Sequence, residues 1–304
     1  RMCCSNSGPS RKEELKLGDC LRLIKQAKEL GFEFVYLSGG EPLINLEKAI
    51  KIISFANKNN LKTYLYTNGF WANEDQYIKV LKRLKKAGLD AIHFSHDPYH
   101  LEFIPTKNII NAINALYKVG FEKYTVDLSM RFDKTNYRQA KAIRDKIKNS
   151  LNMDKLSKSG INVNFDLRPI RPIGRASKFD KAILILRKYN WNKKDSPCKK
   201  GLNITFVEAE GRIRGCYSSG GFTETLTIGK TNEPLSKCVN LANENKILLY
   251  LNTFGIKGLL EFILKNYKID YFNNKTRDAC DICRDVMSNK MIVKKLNEDL
   301  QCTS

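Results

Sequence analysis

CLRLIKQAKELGFEFVYLSGG, residues Cys20–Gly40, decides the fold class. Its first half places apolar residues at helical spacing and stops at Gly31, and its second half is a short apolar run of the kind that forms a buried strand. The same step recurs four more times. "LEKAIKIISFANKNN" leads into "LKTYLYTNG", "DQYIKVLKRLKKAG" into "LDAIHFSHD", "TKNIINAINALYKVG" into "KYTVDLSMR", and "NYRQAKAIRDKIKNS" into "INVNFDLRPI". Strands separated by helices pair in parallel through right-handed crossovers, so residues from about Leu17 to Gly174 are expected to form an α/β sheet or barrel.

In such folds function gathers at the carboxyl ends of the strands. The unusual residues of this chain stand there: "SGGEP", "TNGFW", "SHDPYH", "MRFDKTN" and "RPIRPIGRA". Beyond about Lys178 the alternation stops. "AILILRKYNW" reads as helical, "CKKGLNITFVEAEGRIRGCYSSGG" as a hairpin turning at Glu210 and Gly211, and "KILLYLNTF" and "KGLLEFILKNY" as two helices before "CDIC". The expected division is a main domain over 1–177 and a small metal-stapled one over 178–304, since so few residues hold little core of their own.

The chain has 304 residues, 42% of them hydrophobic and 10% aromatic, which is a globular composition. No uninterrupted apolar run of membrane-spanning length and no signal-peptide pattern is read at the start, so a cytoplasmic location and no membrane partner are expected. The net charge of +21 favours an anionic partner. The lysines are spread over helix faces as on any solvated surface, however, and no basic stripe interleaved with aromatics marks specific nucleic-acid binding.

Nine cysteines without an export signal point to metal or redox chemistry rather than disulfides. Cys198 and Cys216 flank the hairpin and Cys280 and Cys283 form C-x-x-C. Four thiolates from two segments satisfy a structural zinc or a [4Fe–4S] cluster, and spacing alone leaves both open. Cys20 reads as core, and Cys238 and Cys302 have no partner at metal spacing.

"YLSGGEPLI" at a strand end, with Cys3 standing 36 residues before Gly39, resembles the radical S-adenosylmethionine (SAM) superfamily. The series Cys198, Gly211, Cys216, Cys280 and Cys283 resembles the twitch domain, a short SPASM domain carrying one auxiliary cluster. The resemblance implies a partial (β/α)6 TIM-like barrel followed by a small α+β twitch domain. Its cofactors would be SAM and two [4Fe–4S] clusters, its reductant a flavodoxin or ferredoxin. Cys3 would be the third cysteine of C-x-x-x-C-x-x-C, with two cysteines and the first barrel strand expected upstream of Arg1.

Carried over residue by residue, Gly39, Gly40, Glu41 and Pro42 would meet the SAM amino group, and Asn68, Ser95, Arg131 and Arg175 the rest of SAM. Asp97, Tyr99 and His100 would project toward the same mouth and meet substrate. Each of these also fits a plain turn, surface or structural residue. Several stretches, including Cys3–Cys4, "NGFW" and "LLEFIL", resemble the ribosomal-peptide D-amino-acid epimerases, which implies a precursor peptide as substrate. Those enzymes carry a cysteine hydrogen donor directly after the second hairpin ligand. Tyr217 stands there instead, so Tyr217 or Cys4 would be the donor, or the radical would be oxidised to a dehydrogenated or cross-linked product. Oxidation of a small-molecule alcohol by a twitch dehydrogenase and a non-catalytic, zinc-stapled binding protein are the alternatives.

Overall fold

The computed structural model describes residues 3, 7–8, 10–73, 76–191, 198, 205–276 and 278–300. The chain divides into two compact units. One comprises Arg1–Arg11, Lys16–Ile170 and Gly174–Leu184; the other comprises Lys12–Leu15, Arg171–Ile173 and Ile185–Ser304.

In the first unit the expected alternation is present. The order is α1 (Leu17–Glu29), β1 (Phe34–Leu37), α2 (Leu46–Lys58), β2 (Lys62–Thr67), α3 (Gln76–Ala87), β3 (Ala91–Ser95), α4 (Pro98–Leu101), α5 (Thr106–Val119), β4 (Thr125–Phe132), α6 (Tyr137–Ser150), α7 (Met153–Lys158) and β5 (Asn162–Pro169). The five strands are parallel and lie side by side in chain order. This is the α/β sheet of a partial TIM-like barrel.

Alternation along each strand sorts the side chains into two faces. Leu65, Ile92, Phe94, Val126, Leu128 and Met130 pack against helix residues such as Ile53, Leu81, Ile113 and Ile147. Phe94 is fully buried there, a contribution of about 1.5–3 kcal/mol for a side chain of its size. The intervening strand residues differ in chemistry. Tyr36 stacks on Tyr64 at 4.9 Å between ring centroids, Tyr66 stacks on His93 at 4.4 Å, and Arg131 pairs with Asp166 at 3.0 Å.

The second unit holds a three-stranded antiparallel sheet of β7 (Phe206–Val207), β8 (Arg212–Arg214) and β9 (Thr227–Lys230), and a pair β6 (Arg187–Lys188) with β10 (Lys275–Thr276). The β7–β8 turn falls at Glu210 and Gly211 as expected. Residues 182–191 are not helical: they run from a turn into β6, whose partner lies far along the chain. The helix Leu235–Glu244, which follows Pro234, was not anticipated from the apolar pattern.

Lys246–Tyr267 is, by length and composition, long and apolar enough to cross a bilayer, although Asn252, Lys257 and Glu261 interrupt its apolar run. It is not one continuous helix, because Gly255 stands at φ 69° and ψ −175°. At about 1.5 Å per residue neither leg, 246–254 or 256–267, reaches the roughly 30 Å of a hydrocarbon core. Ile247, Leu248, Leu251, Leu259, Leu260 and Ile263 are buried within the protein.

Candidate functional site

The loop after β1 is built by its own sequence. Gly39 takes φ +131°, a value that side chains rarely adopt, and Pro42 opens a short 3-10 helix, Pro42–Asn45, where its missing N–H costs nothing. Glu41 caps that helix, its Oε1 accepting from the Leu43 N–H at 3.1 Å. The same oxygen accepts from the Thr67 hydroxyl at 2.8 Å, and Oε2 accepts from the Asn68 N–H at 2.7 Å. Burial raises the Glu41 pKa, with these hydrogen bonds acting in the opposite direction. Its carboxylate is thus committed to joining the loops after β1 and β2.

In the second of those loops Asn68 Oδ1 accepts from the Phe70 N–H at 3.0 Å, closing a turn. Gly69 stands at φ +77° with no room for a side chain, since a Cβ would lie 2.5 Å from Ile109 Cδ1. Buried Asn108, on α5, donates to the carbonyls of Gly69 and Phe70 at 3.4 and 3.3 Å. The Trp71 indole N–H donates to Thr67 Oγ1 at 2.9 Å. Thr67 and Trp71 were missed as site residues although "TNGFW" was in view, because burial, not the motif, reveals their hydrogen bonds.

The segment before α1 packs against these loops. Cys3, half-buried, receives the Ser7 N–H on its Sγ at 3.3 Å and the Arg175 N–H on its carbonyl at 2.9 Å. A Cβ on Gly40 would lie 3.6 Å from that of Ser7, and one on Gly8 would lie 3.4 Å from Arg175 Nη1. Cys3, Ser7, Gly40 and Arg175 therefore sit together, although β1–β5 and all their helices separate Cys3 from Arg175 in sequence. Cys4 and Cys302 lie outside the described residues.

The loops after β3 and β4 require a correction. Asp97 and Tyr99 do not project into a mouth. Asp97 is 1% exposed, caps α4 through the N–H groups of Tyr99 and His100, binds the His100 imidazole at 2.8 Å and accepts from the Arg131 N–H at 3.3 Å. Tyr99 is buried beside Phe179 and donates to Asp133. Asp97 turns inward to satisfy the unpaired N–H groups that open α4, and Tyr99 turns inward to give its hydroxyl hydrogen to a carboxylate. His100 keeps partial exposure. Ser95 is half-buried opposite Ser129, and the Arg131 guanidinium pairs with Asp166 across β4 and β5. Burial holds His93 and His96 neutral, with pKa values lowered to about 4.

In the second unit Cys280 lies in the first turn of the helix Ala279–Ser288 and Cys283 at the start of the next; the helix is capped by Asp278, which Arg171 holds at 3.2 Å. A helix N-terminus favours thiolate and other negative charge. Cys216 lies buried on the turn after β8, where Gly221 comes so close to its carbonyl that a Cβ would lie 1.7 Å away. Ser219 Oγ donates to Asp281 Oδ1 at 2.9 Å, tying that turn to the C-x-x-C helix, and the Cys198 N–H donates to the Leu251 carbonyl at 2.9 Å.

The four thiols act on one another electrostatically. Burial and these neighbours push Cys216 up to about 11 and raise Cys283 well above the ordinary thiol value. Among the described residues no three His, Cys, Asp or Glu side chains converge on a single-ion site. Four cysteine sulfurs are a donor set that a [4Fe–4S] cluster takes, one thiolate to each iron, and that a structural zinc takes as well. Cys238 is fully buried against Gly229, and Tyr217 is exposed.

Residues 1–147 match the Radical SAM superfamily. Over 286 residues the chain is 22% identical to YydG of Bacillus subtilis (strain 168), a protein named for peptide biosynthesis, covering 92% of this chain and 85% of that one. Streptococcus suis SuiB bound to S-adenosylmethionine is similar in fold, with a TM-score of 0.51 at 13% identity over 91% of this chain and 72% of that one. So is native anSMEcpe with bound AdoMet, with the same TM-score and identity over 93% and 86%.

Proposed function

Because residues 1–147 match the Radical SAM superfamily, we propose that this chain is a radical SAM enzyme that cleaves S-adenosylmethionine reductively and takes a hydrogen atom from a ribosomally made peptide. When bound, a [4Fe–4S] cluster and SAM supply the hydrogen-abstracting radical, and the protein's part is to bind, orient and exclude water. Cys3 gives that cluster a thiolate. Gly39 and Gly40 leave the backbone open to the SAM amino group, while Asn68, Ser95, Arg131 and Arg175 edge the space at the strand ends. Cys198, Cys216, Cys280 and Cys283 hold a second [4Fe–4S] cluster, an electron relay of the twitch type.

The observation that carries this reading is the meeting of Cys3, Ser7, Gly40 and Arg175, a site drawn from the two ends of the first unit. The peptide substrate is supported by the likeness to YydG along most of both chains. Tyr217 favours oxidation or cross-linking over inversion, because a phenol is a poorer returner of hydrogen to carbon than a thiol is. His100, partly exposed beside the buried Asp97, is the substrate contact among the three residues of "DPYH" considered for that role.

The natural gene product, purified anaerobically, should carry about eight irons, two cubanes' worth. With reductant and SAM it should release 5′-deoxyadenosine, and Cys3→Ala should abolish that release. A colourless protein with one zinc, or intact clusters that fail to cleave SAM, would overturn the reading. With a peptide substrate in deuterated water, a gain of one mass unit per event marks inversion and a loss of two marks oxidation.

A further inference from the structure

We propose that Thr67 and Trp71 are positioning residues that hold the Gly39–Gly40 turn in SAM-binding shape by locking Glu41 from behind. This rests on the radical SAM reading and assigns part of its binding site to a buried hydroxyl and an indole.

The argument is one of hydrogen-bond direction. Thr67 Oγ1 receives two donors, the Trp71 indole N–H at 2.9 Å and the Gly69 N–H at 3.1 Å. An indole nitrogen can only donate, so the two lone pairs of the hydroxyl oxygen are spent and its hydrogen must point elsewhere. It points to Glu41 Oε1 at 2.8 Å. The Leu43 and Asn68 N–H groups fill the remaining approaches to that carboxylate at 3.1 and 2.7 Å. Every hydrogen in the shell points inward, which an ionised carboxylate accepts and a protonated one does not.

A side chain held on both oxygens does not swing out to meet a ligand. Its effect is exerted through the backbone. Glu41 follows Gly40, Gly40 lies against Ser7, and the Ser7 N–H donates to Cys3 Sγ. A contiguous path therefore runs from Trp71 through Thr67, Glu41, Gly40 and Ser7 to the Cys3 sulfur. The ionisable group facing Glu41 is His100, in α4, and positive charge on that side favours the ionised carboxylate. Trp71 itself is buried against Phe94, with 6.3 Å between ring centroids, so the indole has little freedom to turn.

The test measures SAM affinity of the cluster-loaded gene product across the acid range, by titrating the SAM-induced change in the spin-resonance spectrum of the reduced cluster. Wild type is compared with Thr67→Val, Thr67→Ser and Trp71→Phe, and melting temperatures are taken in parallel. Thr67→Val should weaken SAM about tenfold, the loss of one hydrogen bond to a charged group. It should also move the acid limb of the affinity profile to higher pH, because Glu41 loses a donor. Thr67→Ser should restore both, and Trp71→Phe should shift both in the Thr67→Val direction by less.

A Thr67→Val protein that binds SAM within twofold of wild type, with its acid limb unmoved, overturns the proposal. If Thr67→Val does not fold, Trp71→Phe decides by the same two readouts. Wild type that carries its clusters and does not bind SAM overturns the radical SAM reading itself, a separate result.

Discussion

The backbone N–H of Arg175 donates to the carbonyl oxygen of Cys3 at 2.9 Å. That bond belongs to the main chain, so the side chain and the donor can be removed separately. Arg175→Ala keeps the N–H and should retain cluster iron. Arg175→Pro deletes the donor and should lower occupancy at Cys3, taking total iron from about eight toward about four per chain. Equal iron in the two variants would show that the bond does not matter for loading.

The cysteines of the second unit give a cleaner contrast. Replacing Cys198, Cys216, Cys280 or Cys283 by alanine should remove about four irons per chain, and Cys238→Ala none. Cys238 is as buried as any residue in the unit, so burial alone does not explain such a pattern. Iron and sulfide analysis of anaerobically purified variants decides it.

Gly69 is required twice, for its φ of +77° and for the absence of a Cβ beside Ile109. Gly69→Ala should cost about 2–4 kcal/mol, of which about 1–2 is backbone strain and the rest overpacking. Ile109→Val removes the clashing methyl. The double variant should be less destabilised than the sum of the singles by about 1 kcal/mol or more. Strict additivity in denaturant unfolding would refute the clash.

Acid should destabilise this protein through its histidines. Burial lowers His93 and His96 to about 4, whereas an unfolded-chain imidazole takes up its proton near about 6.5. Between those values the unfolded chain binds more protons, so stability is fully present above about pH 6.5 and is lost as pH falls toward 4. For His96, 0% exposed with Nε2 at 3.1 Å from Thr106 Oγ1, the loss is on the order of 3 kcal/mol. Melting temperatures of the metal-free protein that stay flat across this window would refute it.

Asp97 is a buried carboxylate with four partners and a structural duty. Asp97→Ala should cost roughly 3–5 kcal/mol, because the N–H groups of Tyr99, His100 and Arg131 lose their acceptor, and Asp97→Asn less, because an amide oxygen still caps α4. If Asp97→Ala folds as stably as wild type in denaturant titrations, the side chain does not hold the β3 and β4 loops together.

The first unit was legible because its information is local. Each helix carries its own apolar period and each strand follows within a few residues, so five steps predict five parallel strands. Residues 182–191 were misread because β6 pairs with β10, and no local pattern encodes a partner so distant. Cys3, Gly39 and Gly40 were visible through the resemblance of "SGGEP" and the cysteine before it to the radical SAM superfamily. Thr67 and Trp71 were hidden because the value of a hydroxyl or an indole depends on what faces it. Asp97 and Tyr99 were recognised as unusual and given the wrong direction, since a sequence places a residue at a strand end without saying which way it turns.

Strands laid side by side in chain order also set a timetable. Each new βα step finds its neighbour already made, so the pairings of consecutive strands close short loops and can form as synthesis proceeds. The Cys3–Arg175 bond waits until nearly the whole unit exists. The cradle for the reactive cluster is thus finished last, and pulse-labelled hydrogen exchange should find the Arg175 amide protected only after the amides of β2–β4.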